Sequence, residues 1–137
     1  MLCLASGVIR TSANKNFPAR LVKIQKGLQK VIEKWQPDIM SIEAAIYAQN
    51  IQIAIKLGHA RGAAILAGAN ADLEIFEYAP KKIKSSVTGN GKAKKEQLRY
   101  MVKNILNLPK LPPSLDESDA MGAAICHLNQ FRFSRRI

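Results

Sequence analysis

The sequence predicts an α/β layer fold, a sheet covered by helices. Three observations carry this. Short apolar stretches alternate with longer segments of helical period, in the order β, α, β, α, β, α, α, α. The stretch "IMSIE", residues 39–43, is nearly continuously apolar, as a strand buried on both faces is. A chain of 137 residues, 47% hydrophobic and 23% charged, can bury one core but not two comfortable ones. A single domain over residues 1–137 is expected.

Taken in order, "MLCLASGVIRT" reads as a strand, ended by the polar "SANKN". From 17 to 35, Phe17, Leu21, Ile24, Leu28, Val31 and Trp35 recur on one helical face. Asn16 suits the cap of that helix and Pro18 its first turn. "QPD" breaks it and leads into strand 39–43. A long helix follows from Asn50, rich in Gly58, Ala60, Gly62, Ala63, Ala64, Ala67 and Gly68. Such a small-residue face allows close approach, either to its own sheet or to a second subunit. "LEIFEYA", 73–79, alternates as a strand. Pro80 opens a short basic helix to about Val87, "TGNG" turns, and 92–107 returns to helix with Leu98, Met101, Val102, Ile105 and Leu106 inward. "LPKLPP" is a stiff linker. The last helix spans about 115–130, and residues 131–137 form a basic tail.

The net charge of +11 favours polyanions, nucleic acid first and an anionic membrane surface second. Residues 79–110 hold eight lysines, Arg99 and one acid, Glu96, a net +8. Such a run serves either as a solvated face or as a phosphate contact, and the glycine-flanked loop inside it favours the second. "TGNGKAKK" lacks the Gly-Lys-Ser/Thr ending of a Walker motif. It is better read as a turn feeding a helix start, where backbone N–H groups and lysines hold a phosphate. Two cysteines, Cys3 and Cys126, make no disulfide framework, which suits a reducing, cytoplasmic compartment. No apolar run approaches the ~18 residues of a membrane span. The apolar start lacks the charged front of a signal peptide.

The chemistry concentrates in "SLDESDAMGAAI", 114–125. Ser114 and Glu117 form a capping-box pattern, and the helix dipole by itself accounts for Asp116 and Glu117. Asp119 lies one turn on, where a like charge costs roughly 0.2–0.5 kcal/mol. Asp116, Asp119, Ala120, Ala123 and His127 share a helical face, with alanines that let something lie close. A third acid, Glu43, ends the buried strand, and sites in open α/β sheets form beyond the carboxyl ends of strands. If the last helix crosses that edge, the three carboxylates converge. Carboxylates with no His or Cys partner select a hard cation, Mg²⁺ or Mn²⁺. Beside a phosphate-binding surface, such an ion suggests phosphodiester hydrolysis. A structural origin for D-x-x-D at a helix start competes with this. His59 reads as a surface residue. His127 reads as a surface or cap residue, with support of the acids as the alternative. Tyr47 reads either as a base-stacking residue or as an ordinary half-buried tyrosine.

Four blocks carry a resemblance: "MSIEAAIYAQN", "AIKLGHARGAAI", "FEYAPKKIKSSVTGNGKAKKEQLRYMV" and "LDESDAMGAAI". Together, collinear from about Leu4 to His127, they resemble the RuvC-type Holliday-junction resolvases of bacteria. The resemblance implies an RNase H-like fold with a mixed sheet flanked by helices, a homodimer, and Mg²⁺-dependent nicking of two strands at a DNA four-way junction. A branch-migration helicase is implied as partner. It carries the catalytic, metal-binding acids onto Glu43, Asp116 and Asp119, and the phosphate lysines onto Lys84 and Lys95. Lys92, Lys94 and Arg99 are expected as helpers in DNA binding, and Tyr47 as the stacking residue beside Ile46, where many members carry an aromatic. The small-residue helix from Asn50 takes the place of the family's dimer helix. One departure stands out. The family opens with a hairpin whose first strand bears an aspartate, and nothing here matches it. Three of four carboxylates remain, so weak or absent cleavage and poor folding of the chain as written are expected. A non-catalytic junction-binding protein on the same scaffold is the rival reading, and a small basic RNA-associated protein a third.

Overall fold

The computed structural model of the chain describes residues 1–44 and 49–134, the last two of these in backbone only. The elements are α1 (Phe17–Trp35), β1 (Ile39–Glu43), α2 (Ile51–Asn70), β2 (Glu74–Tyr78), α3 (Pro80–Thr88), α4 (Lys95–Ile105) and α5 (Leu115–Ser134). The expected order is recovered from the first helix onward. Asn16 caps α1, its Oδ1 accepting from the Ala19 N–H at 2.8 Å. Gln36 ends it in the left-handed region at φ 48°, and Pro37 cannot continue a helix. Asn50 caps α2 in the same way, accepting from the Ile53 N–H at 2.9 Å. Gly89, at φ 80°, closes α3 in the conformation that glycine adopts without cost. Helix α5 runs to Ser134, a turn beyond the expected end.

The expected first strand does not form. Among the described residues the sheet has two strands, ordered β1–β2. Residues 1–11 have strand-like composition but no ladder, and a strand without backbone partners is only a propensity. The pair is parallel: Glu74 N–H bonds to Asp38 O at 3.4 Å and Ala44 N–H to Tyr78 O at 2.9 Å, so both strands advance together.

Packing divides the chain into two compact units. One comprises residues 9–40 and 46–75. In it α1 packs along α2, with Ile32, Ala63 and Ala67 buried between them. Ile9 lies on Gly27 so closely that an added Cβ would meet its Cδ1 at 2.8 Å. The other comprises residues 1–8, 41–45 and 76–137. Its core is Ile83, Val87, Leu98, Val102, Leu106, Met121, Ala123, Ile125 and Cys126, where α3 and α4 close on α5. Burying each of its Ile, Leu, Val and Met side chains contributes about 1.5–3 kcal/mol.

Candidate active site

Within this second unit, β1 and α5 bring the acids to one place. Glu43 is the last residue of β1, Asp116 lies in the first turn of α5 and Asp119 one turn further. Ser41, Ile42, Glu43, Asp116, Asp119, Ala120 and Ala123 line a single cleft of about 260 Å³. The alanines expected on that face are there. His127 is not: it is buried, 3% exposed, so the expected surface or cap role is overturned. Its Nδ1 meets the Tyr78 hydroxyl at 2.7 Å, and its ring packs on Phe76 and Phe131 at 4.4 and 4.8 Å between centroids. The apolar neighbours of α5 at this depth leave no wet surface for an imidazole to reach. His59 is exposed, as expected, against the Phe17 ring.

Two hydroxyls hold the cleft together: Ser41, which sequence reasoning missed, and Ser114, the cap read from the sequence. The Ser41 Oγ donates to the Ala123 carbonyl at 2.7 Å, fixing the strand two residues before Glu43 to the helix one turn after Asp119. Ser114 Oγ caps α5 by accepting the Glu117 N–H at 3.1 Å. The Glu117 carboxylate does not reach back to the backbone as a capping box would; it accepts from the Ser114 and Ser6 hydroxyls, both at 3.2 Å. Glu117 therefore belongs to the helix start, and Asp116 and Asp119 are left to the cleft. Ser41 was visible in "MSIE", but no short-range pattern links it to a carbonyl 82 residues away.

The electrostatics of the cleft show at Glu43, a partly buried carboxylate beside a second acid. Burial, and then the charge of Asp119, push the Glu43 carboxyl above its usual range; Lys95 and Lys84 pull it back. Lys95 Nζ stands 3.3 Å from Asp119 Oδ2. Both lysines named from the sequence thus act on the acids named from the sequence. Lys92 and Lys94 are exposed at the entry to α4. Arg99 is engaged elsewhere, its Nε donating to the Pro112 carbonyl at 2.8 Å with Glu96 at 3.7 Å. Ile46, Tyr47 and residues 135–137 of the basic tail lie outside the described residues.

An oxygen-only donor set suits a hard cation, and the mutual crowding of Glu43 and Asp119 is relieved by positive charge. Among the described residues, however, no three His, Cys, Asp or Glu side chains stand in an arrangement that could hold a metal ion. The acids share a cleft, and Lys95 pairs with Asp119.

An α/β domain with acids gathered at the carboxyl end of a strand fits the expected RNase H-like class, to which its structural neighbours belong. Known proteins agree with it. The family described as crossover junction endodeoxyribonuclease RuvC matches residues 1–127. The chain is 48% identical over 124 residues to the protein of that name from Geotalea uraniireducens, covering 90% of this chain and 72% of the relative. It is 49% identical over 126 residues to that from Vibrio campbellii, covering 92% and 72%. The structure of Thermus thermophilus RuvC in complex with Holliday junction substrate superposes with a TM-score of 0.90 at 27% identity, covering 96% of this chain and 79% of that one. The chain belongs to the crossover junction endodeoxyribonuclease RuvC family.

Proposed function

We propose that this chain is a structure-specific DNA endonuclease that resolves four-way junctions by metal-dependent phosphodiester hydrolysis in recombination and repair. Family membership supports the reaction class. The single observation that supports the site is the cleft shared by Glu43, Asp116 and Asp119, with Lys84 and Lys95 acting on it. In this reading Glu43, Asp116 and Asp119 are the side chains that would hold Mg²⁺, with Mn²⁺ an alternative of similar size and hardness. Held there, a divalent ion would supply charge stabilisation for the leaving oxygen and a more acidic water. Lys95, released from Asp119, and Lys84 take phosphate oxygens, and Lys92 and Lys94 extend that contact along the backbone. Tyr47 stacks on a base at the junction centre.

The active form is a homodimer acting in the cytoplasm, which sets two clefts about a two-fold axis for two strands. Helix α2 supports this: it leaves Ile51, Ile53, Ile55, Leu57 and Leu66 exposed, Ile51 at 78%. A branch-migration helicase as partner rests on the family resemblance. Among the described residues no helix is long and apolar enough to cross a membrane.

One observation favours a second reading, a junction-binding protein without cleavage: the described acids do not close into a metal-holding group. A synthetic four-way junction separates the two. Mg²⁺-dependent paired nicks at enzyme excess, lost in Glu43→Gln and Asp119→Asn while binding persists, support the nuclease. Tight, salt-sensitive binding with no metal-dependent product selects the second reading.

A further inference from the structure

The basic segment 79–110 is not the chain's only concentration of positive charge. Residues 15–34 carry Lys15, Arg20, Lys23, Lys26, Lys30 and Lys34 against one acid, Glu33, a net +5. Four of these fall in register. At 3.6 residues per turn, Lys23, Lys26, Lys30 and Lys34 occupy an arc of about 80° on α1 and span about 16 Å of its axis. Leu21, Ile24, Leu28 and Ile32 occupy the far side, where α1 packs on α2. The four lysines are exposed, and among the described residues none is in an ion pair. Lys34 rests over the ring of its neighbour Trp35 at 5.2 Å. Like charges at these spacings weaken a helix, so the stripe is not there for the stability of α1.

We propose that this face of α1 is a second nucleic-acid-binding surface, which engages the phosphate backbone of duplex DNA independently of the cleft. Duplex DNA presents one negative charge per about 1.7 Å of axis, a continuous line that a straight row of lysines can follow. An anionic membrane fits less well. A surface-lying helix buries an apolar face in the lipid boundary, and the apolar face of α1 is already used against α2. The inference rests on the reading of the protein as DNA-binding, but not on cleavage.

The test compares the full chain with the triple variant Lys23→Gln, Lys26→Gln, Lys30→Gln in EDTA, on a four-way junction and on a linear duplex. Affinity is measured across a salt series. Each lost phosphate contact lowers the slope of log K against log salt by about 0.9, so a fall of about 2 to 3 is expected on both DNAs. Arginine at the same three positions restores the slope, and thermal unfolding shows the glutamine variant at least as stable as the parent. An unchanged slope, or a loss that arginine does not restore, overturns the proposal. So does retention of the parent alone on phosphatidylserine vesicles with no change on DNA. The two readings fail separately: a parent that never nicks junctions but loses slope in the variant removes the nuclease and keeps this surface, whereas nicking with an unchanged slope does the reverse.

Discussion

Glu43 shows what a single carboxyl in this cleft does to the fold. Burial and the Asp119 charge raise its pKa, with Lys95 and Lys84 opposing. The folded state therefore holds this proton longer than the unfolded chain. Its contribution to stability is fully present below about pH 4, and is lost as pH rises through the folded value. At neutral pH without a divalent ion, ionised Glu43 works against folding. Glu43→Gln should melt higher than the parent in EDTA at pH 7, and the gap should close on acidification. Equal melting temperatures at both pH values would contradict the electrostatic account. Ser41 makes the opposite kind of contribution. Removing its hydroxyl in Ser41→Ala loses one intramolecular hydrogen bond and orphans no charge, so about 1 kcal/mol is expected. A lower denaturant midpoint at constant slope is the sign of it. Asp119 stood out in the sequence because the helix dipole, which accounts for Asp116 and Glu117, does not account for an acid one turn further on. Ser41, and the Tyr78–His127 hydrogen bond, did not, because the partners lie on distant elements that only the fold brings near.

At the scale of elements, the helices were legible and the first strand was not. Caps, prolines and the 3.6-residue period act locally, so Asn16, Asn50, Pro80 and Gly89 mark real boundaries. A strand exists only with a neighbour, and β-like composition at residues 1–11 carries no information about who that neighbour is. The contact of α5 with α3 and α4 is set by Gly122, where an added Cβ would stand 3.1 Å from Ile83 Cγ2 and 3.5 Å from Leu98 Cδ1. Gly122→Ala gains about 1 kcal/mol in helix propensity, which offsets most of that crowding. Gly122→Val keeps little of the gain and drives two further methyl groups into buried Ile83 and Leu98, so it should cost about 1–3 kcal/mol. Chemical denaturation of both variants checks the order; a valine variant as stable as the alanine one would show that the contact is slack.

For the molecule as a whole, excess positive charge and the acid-bearing helix pointed to a nucleic-acid enzyme, and four collinear blocks narrowed that to a family the comparisons bear out. Assembly was less legible. The small-residue face of α2 suits an internal or an external contact equally, and the exposed isoleucines Ile51 and Ile55 appear as a feature only once the fold is known. If α2 joins two copies, the parent sediments as a dimer, and Ile51→Lys with Ile55→Lys gives a folded monomer. A monomeric parent at micromolar concentration removes the dimer from the proposal.

The central claim is that Glu43, Asp116 and Asp119 act together on one divalent cation, and calorimetric titration of Mg²⁺ or Mn²⁺ into the full chain tests it without relying on turnover. The account predicts a saturable heat that disappears in Asp119→Asn and in Glu43→Gln, while DNA binding in EDTA is retained by both. Binding of the same strength in parent and variants would contradict it, because the ion would then be held somewhere other than the cleft these acids line.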